Sequence, residues 1–206
     1  MARLAASRPR KLPVQSRSRE TVGAILEAAA RILAEEGAAG FNTNRVARKA
    51  GVSVGSLYQY FPNKQALLRS LLGQRVQSAE ARRPPELREG STASLEEGIR
   101  ASVRWHVATH LENPGLETVL NGLAAEILEE GEFEAFERRY ELAVRRFLER
   151  HRDRLAVDDL EMAAFLVMQL LHIAPNRALV HHRTALEDGR MAAELSDMII
   201  RYLTRD

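Results

Sequence analysis

The chain has no cysteine, one tryptophan, seven prolines and only 5 % aromatic residues among 206. Without cysteine there is no disulfide framework, no thiolate zinc or iron–sulfur site and no cysteine nucleophile, so a bound metal would need histidine and carboxylate ligands. A reducing compartment suits such a chain. The opening MARLAASRPR lacks an apolar leader core, and the longest apolar stretch, Met162 to Ala174, is interrupted by Gln169 and His172 and is too short to span a bilayer. A cytoplasmic protein with no membrane partner is expected. Strand signals are missing too: no alternating β-branched runs, no Asn-Gly or Asp-Gly between two such runs, and no internal repeat.

What is present is an ordinary hydrophobic content, 45 %, and a lopsided charge. Residues 1–70 hold 12 Lys and Arg against 4 Glu, a local net of +8, while 71–206 hold 18 against 24 Asp and Glu, a local net of −6. A basic end on an otherwise acidic chain is suited to a polyanion, and nucleic acid is the obvious one.

Residues 1–17 carry Arg3, Arg8, Arg10 and Lys11 with two prolines and no apolar period, and read as a flexible basic arm. From Ser18, apolar residues recur every three or four positions (Val22, Ile25, Leu26, Ala29, Ile32, Leu33) until Gly37, which predicts a first helix. Thr43 is placed to cap a short second helix closed by Gly51, and Ser53 to cap a third over Val54 to Tyr60. Lys64 begins a longer helix that ends by Pro84-Pro85. Further helices are expected at about 93–111, 114–130, 132–153, 158–182 and 187–204. The chain is therefore expected to be all-α with about nine helices, divided into the arm, a domain at 18–64 and a helical domain at 65–206.

Two short helices joined by Ala50-Gly51-Val52-Ser53, the second with small polar and aromatic residues outward, describe a helix-turn-helix. The stretch Phe41 to Lys64, FNTNRVARKAGVSVGSLYQYFPNK, resembles the DNA-binding segment of the TetR family of bacterial regulators, and with the helix before it the resemblance covers roughly residues 18–72. Val46 stands where isoleucine is usual in that family, and Gln65 where glutamate is common. The resemblance implies that Thr43 caps its helix and meets a phosphate of the DNA operator, with Asn44 and Arg45 beside it. It sets Ser53, Val54, Gly55 and Ser56 against the major groove, Tyr58 and Tyr60 on the backbone with Gln59 between them at the rim, and Lys64 on a phosphate.

The same resemblance implies a homodimer in which helices 158–182 and 187–204 pair with their symmetry mates, through Leu160, Ala164, Val167, Leu171, Met191, Leu195, Met198 and Tyr202. It also implies a small-molecule effector and release of a repressed operator. Pocket candidates are polar, aromatic or soft residues on otherwise apolar faces: Trp105, His106, His110, Asn121, Phe165, Met168, Gln169 and His172. Pro175 should kink or break its helix, since it lacks an N–H and clashes with the carbonyl of Leu171.

Other functions leave weaker traces. His106 and His110, at i and i+4, share a helix face and with His172 or His181-His182 could hold a metal, but the glutamate of metalloprotease helices is missing after His106. Gly51-Val52-Ser53-Val54-Gly55 matches a hydrolase nucleophile elbow, yet it follows a helix instead of a strand. No cofactor motif is present, and no enzyme is expected. A C-terminal half that binds another protein instead of a small molecule is the remaining alternative.

Overall fold

A computed structural model describes residues 16–88, 90–127 and 132–204, and among these there are ten α-helices, two single 3-10 turns and no strand. The helices are α1 (Ser16–Gly40), α2 (Thr43–Lys49), α3 (Val54–Tyr60), α4 (Lys64–Ala81), α5 (Leu95–Glu112), α6 (Pro114–Ile127), α7 (Glu132–Arg150), α8 (Leu160–His181), α9 (Arg183–Glu187) and α10 (Arg190–Leu203). The arm residues Arg3, Arg8, Arg10 and Lys11 lie outside the described residues. Two compact units emerge: α1–α4 with α6, and α5 with α7–α10.

In the first unit the apolar stripe of α1 (Ile25, Ala29, Ile32, Leu33) is fully buried, together with Val46 and Ala47 of α2, Leu57 of α3 and Leu67 of α4. The stop expected at Gly37 is a break, not an end: Gly37 takes φ 68°, ψ −170°, and one more turn follows to Gly40. Helix α6 lies close on α1 because residue 115 is glycine. A Cβ there would stand 2.7 Å from the carbonyl oxygen of Ala34, a backbone atom that cannot swing aside. Helix α6 is further tied to α4 by Arg75, whose guanidinium meets the buried carboxylate of Glu117 side by side through Nε–Oε1 and Nη2–Oε2.

The second unit is built round one apolar core, with Leu95, Ile99 and Val103 of α5, Ala164, Val167 and Leu171 of α8, and Leu195 and Ile199 of α10. Helix α8 is apolar and long enough to cross a bilayer, but 44 % of its most apolar window is buried here. Of the kink or break expected at Pro175, the break does not occur: the helix continues through Pro175, which is itself buried between the core residues Leu171 and Ala178. Packing on both sides keeps the chain helical where the proline removes one hydrogen bond. The last helix also differs from the expected 187–204. A short α9 precedes it, and Gly189, at φ 81°, turns the chain into α10, which starts at Arg190.

The stripe expected to meet a symmetry mate is divided by this packing. Ala164, Val167, Leu171 and Leu195 belong to the unit's own core, Leu160 and Met191 are half-buried, and only Met198 and Tyr202 of that set are exposed. The period was read correctly, but one helix carries two apolar faces and only the inner one coincides with the stripe.

Breaking a buried pair leaves an uncompensated charge, at a cost of about 3 kcal/mol. Glu117→Ala should therefore lower the stability of the protein by about that amount in urea denaturation, and adding Arg75→Met should recover much of the loss.

Candidate nucleic-acid interface and cavity

The turn between α2 and α3 follows from its backbone bonds. The N–H of Val52 donates to the Ala47 carbonyl (3.0 Å) and that of Gly51 to the Arg48 carbonyl (3.2 Å), the paired closure of a Schellman C-cap. That closure requires a left-handed residue after the cap, and Gly51 has φ 69°. The Ser53 side chain then accepts from the N–H of Ser56 at 3.0 Å and starts α3, as expected.

At the start of α2 the expectation needs correction. The N-cap is Asn42, extended at φ −141°, whose Oδ1 accepts from the Asn44 N–H at 2.8 Å. Asparagine and threonine both cap well, and here the residue one position earlier takes the role. Thr43 is left to share a hydrogen bond with the Tyr58 hydroxyl, 3.1 Å between oxygens, which ties the beginning of α2 to α3.

Of the remaining interface candidates, Asn44, Arg45, Ser53, Val54, Gly55, Tyr58, Gln59 and Lys64 are exposed, while Thr43, Ser56 and Tyr60 are half-buried. The Tyr60 hydroxyl accepts from Ser18 Oγ at 3.1 Å, which fixes the ring against α1. The Lys64 ammonium stands 5.4 Å from the centre of the Phe41 ring, a cation–π distance. Leu57 and Phe61, the other residues of this stretch, are core.

The charges are less free than a count suggests. Arg45 makes a two-pronged pair with Glu36 at 2.5 Å, and Lys49 meets Glu35 at 2.8 Å. The hydrogen bond and charge of Lys49 hold the Glu35 carboxyl below its ordinary range, so this pair persists through neutral pH and is lost only as pH falls through that lowered value. Arg48 and Lys64 make no ion pair among the described residues. Asn42, Ser18, Glu35 and Glu36 were not singled out in the sequence. The capping role of Asn42 had a local signal, whereas the partners of Ser18, Glu35 and Glu36 lie 42, 14 and 9 residues away, beyond any local pattern.

The second unit holds a partly open cavity of about 200 Å³ among α5, α7, α8 and α10. Trp105, His106, Met168 and His172 line it, as proposed from the sequence. The other four candidates do not. His110 is buried, its Nδ1 2.9 Å from the His106 carbonyl oxygen; Phe165 is exposed; Gln169 lies off the lining; Asn121 belongs to the first unit. Helical period places a polar residue on a face but does not say which face a cavity opens on. The imidazole of His172 sits edge-on to the imidazole of His106 (5.2 Å between centres) and to the phenol ring of Tyr140 (5.6 Å), a residue not singled out before. No group of three metal-ligating side chains occurs among the described residues.

Residues 25–71 match the family described as bacterial regulatory proteins, tetR family, and residues 94–203 match the tetracyclin repressor-like C-terminal domain. The chain is 33 % identical over 69 residues to the fatty acid metabolism regulator protein of Bacillus subtilis, 34 % of this chain and 36 % of that protein. It is 33 % identical over 101 residues to the nucleoid occlusion factor SlmA of Vibrio campbellii, 48 % of this chain and 50 % of that one. It thus spans half or less of these curated relatives. Among solved structures it resembles NalD of Pseudomonas aeruginosa, the secondary repressor of the MexAB-OprM multidrug efflux pump. There the TM-score is 0.70 at 23 % identity, covering 93 % of this chain and 100 % of the other, a likeness of fold.

A Cβ at residue 51 would meet nothing within 4 Å, so the cost of filling it is conformational alone. Gly51→Ala should lower stability by about 1–2 kcal/mol and Gly51→Asn by less, as thermal unfolding will report.

Proposed function

This chain belongs to the TetR family of bacterial transcriptional regulators, which are DNA-binding proteins and not enzymes, and we propose that it acts as a repressor. On this reading a homodimer binds a palindromic operator in the cytoplasm and lets go when a small molecule enters the cavity of the second unit. The observation that carries the DNA part is the exposed face of α3, where Ser53, Val54 and Gly55 stand on a helix whose inner side is pinned by buried Leu57. Gly55 supports it most directly. A Cβ there would meet only Ser53 Oγ at 3.9 Å, so nothing inside the protein requires glycine, although glycine costs a helix about 1 kcal/mol. Close approach of an outside surface does require it.

Roles divide by chemistry. Tyr58, Tyr60, Thr43 and Lys64 are suited to phosphates, which set affinity, and Asn44, Ser53 and Ser56 to base edges, which set sequence preference, with Gln59 at the rim. Arg45 reaches the operator only by exchanging Glu36 for a phosphate. The arm, whose basic residues Arg3, Arg8, Arg10 and Lys11 precede α1, adds sequence-independent charge.

Dimerisation is assigned to the outer face of α8 and α10, where Phe165, Leu166, Ile173, Met198 and Tyr202 are exposed. Exposed apolar side chains concentrated on two helices mark an interaction surface. Phe165→Asp combined with Met198→Asp should shift the protein from dimer to monomer in sedimentation velocity and abolish high-affinity operator binding. A dimer that survives both changes would place the interface elsewhere.

Lys64→Ala should weaken binding evenly across DNA sequences and reduce the slope of log affinity against log salt by about 1, while Asn44→Ala should change which base pairs are preferred. Fluorescence anisotropy at several salt concentrations measures both. An unchanged salt slope in Lys64→Ala would remove that lysine from the phosphate contacts.

A further inference from the structure

Resting on the reading of this cavity as the effector site, we infer that its ligand is a small amphipathic monoanion, an apolar body carrying one carboxylate or an equivalent group. The deep wall is apolar, made by Ile99, Val167, Leu171, Ile199 and Leu203 of the unit's core. The volume, about 200 Å³, is somewhat above the roughly 150 Å³ of an apolar cavity that accepts benzene, room for one ring with a short chain.

The charged residues on the lining are all of one sign. Arg146 and Arg150 of α7, one helical turn apart, and Arg83 contribute guanidinium groups, and among the described residues no aspartate or glutamate lines the cavity. On the same helix the carboxylate of Glu149 pairs with Arg145 at 2.9 Å, at an exposed site. Arg150 is held over the Phe147 ring, 5.5 Å from its centre, so its charge is positioned at the lining. Between the apolar wall and the cations stand His106, His172 and Tyr140 in edge-to-face contact, polar groups that can orient an anionic head.

Arg146 and Arg150 are exposed at the rim, and positive charge beside a low-dielectric wall attracts an anion, repels a cation and gives nothing to a neutral body. A ligand that is apolar at one end and singly negative at the other satisfies both parts of the lining. An ammonium compound of the same shape would bring like charges together, and a polyanion would leave charge against the apolar wall.

The chain carries its own reporter, since Trp105 is its only tryptophan and lines this cavity. Three probes of one shape decide the matter: 4-phenylbutyrate, 4-phenylbutan-1-ol and 4-phenylbutylamine, titrated at neutral pH against Trp105 fluorescence in the full-length protein. The carboxylate should bind about tenfold more tightly than the alcohol, the yield of one charge-assisted contact at a half-exposed site, and the amine should bind most weakly. In Arg146→Gln/Arg150→Gln, whose fold is checked by circular dichroism, the preference for the carboxylate over the alcohol should fall to about twofold. The inference is overturned if the alcohol or the amine equals the carboxylate, if the carboxylate gives no saturable signal, or if its preference survives the double substitution. Operator binding measured in the same samples separates this from the reading beneath it. A carboxylate that binds as expected while DNA stays bound upholds the ligand class and contradicts effector release. An alcohol that binds more tightly and releases DNA does the reverse.

Discussion

A helix of seven residues does not persist in water, where isolated helices shorter than about 12–15 residues are marginal, and both α2 and α3 have seven. They exist because each places apolar side chains, Val46 and Ala47 from one and Leu57 from the other, in a core already furnished by α1. Full burial of a side chain such as leucine contributes about 2 kcal/mol, enough to hold a helix that has few bonds of its own. The same burial sets which side of α3 faces outward, so the exposed row beginning at Ser53 follows from Leu57 and Phe61 being inside. Caps supply the rest. Asn42 and Ser53 each satisfy a backbone donor that so short a helix would otherwise leave open, and the left-handed Gly51 closes α2 in the one geometry that lets α3 begin three residues later.

Within the first unit this arrangement is braced from behind. Gly115 brings α6 against the backbone of α1, and the Arg75–Glu117 pair ties α6 to α4. Both ties are unforgiving: a side chain at 115 would strike a carbonyl oxygen, and loss of either charge would bury the other alone. The acids of α1 act differently. Glu35 and Glu36 pair with Lys49 and Arg45 at exposed sites, where such pairs contribute little to stability, but they offset part of the positive charge of α2. The net positive character of this face therefore depends on Arg48 and Lys64 more than the residue count implies.

How much of this is legible in the sequence depends on the range of the interaction. Helical period located α1 to α8, because burial writes itself every three or four residues, and the Gly51 turn was readable because only glycine takes that conformation without cost. Asn42 and Thr43 are both good caps, and local chemistry alone does not choose between them. Pro175 shows the limit of a strong local rule, since tertiary packing holds α8 together through a residue that should interrupt it. The cavity was half-legible. Trp105, His106, Met168 and His172 were reached from their own helices, whereas Tyr140 and the arginines of α7 come to the same space through the tertiary fold. Of the stripe assigned to a symmetry mate, Ala164, Val167, Leu171 and Leu195 lie in the unit's own core, because α8 is apolar on both faces, which period alone cannot separate.

The central claim is that two copies of α3, related by a two-fold axis, read duplex DNA. Selection of bound duplexes from a random pool by the purified full-length protein tests it most directly. The account predicts an enriched site with dyad symmetry, its half-sites about 34–36 Å or somewhat more apart along the duplex. Failure to enrich any sequence, or an enriched site without dyad symmetry, would contradict it.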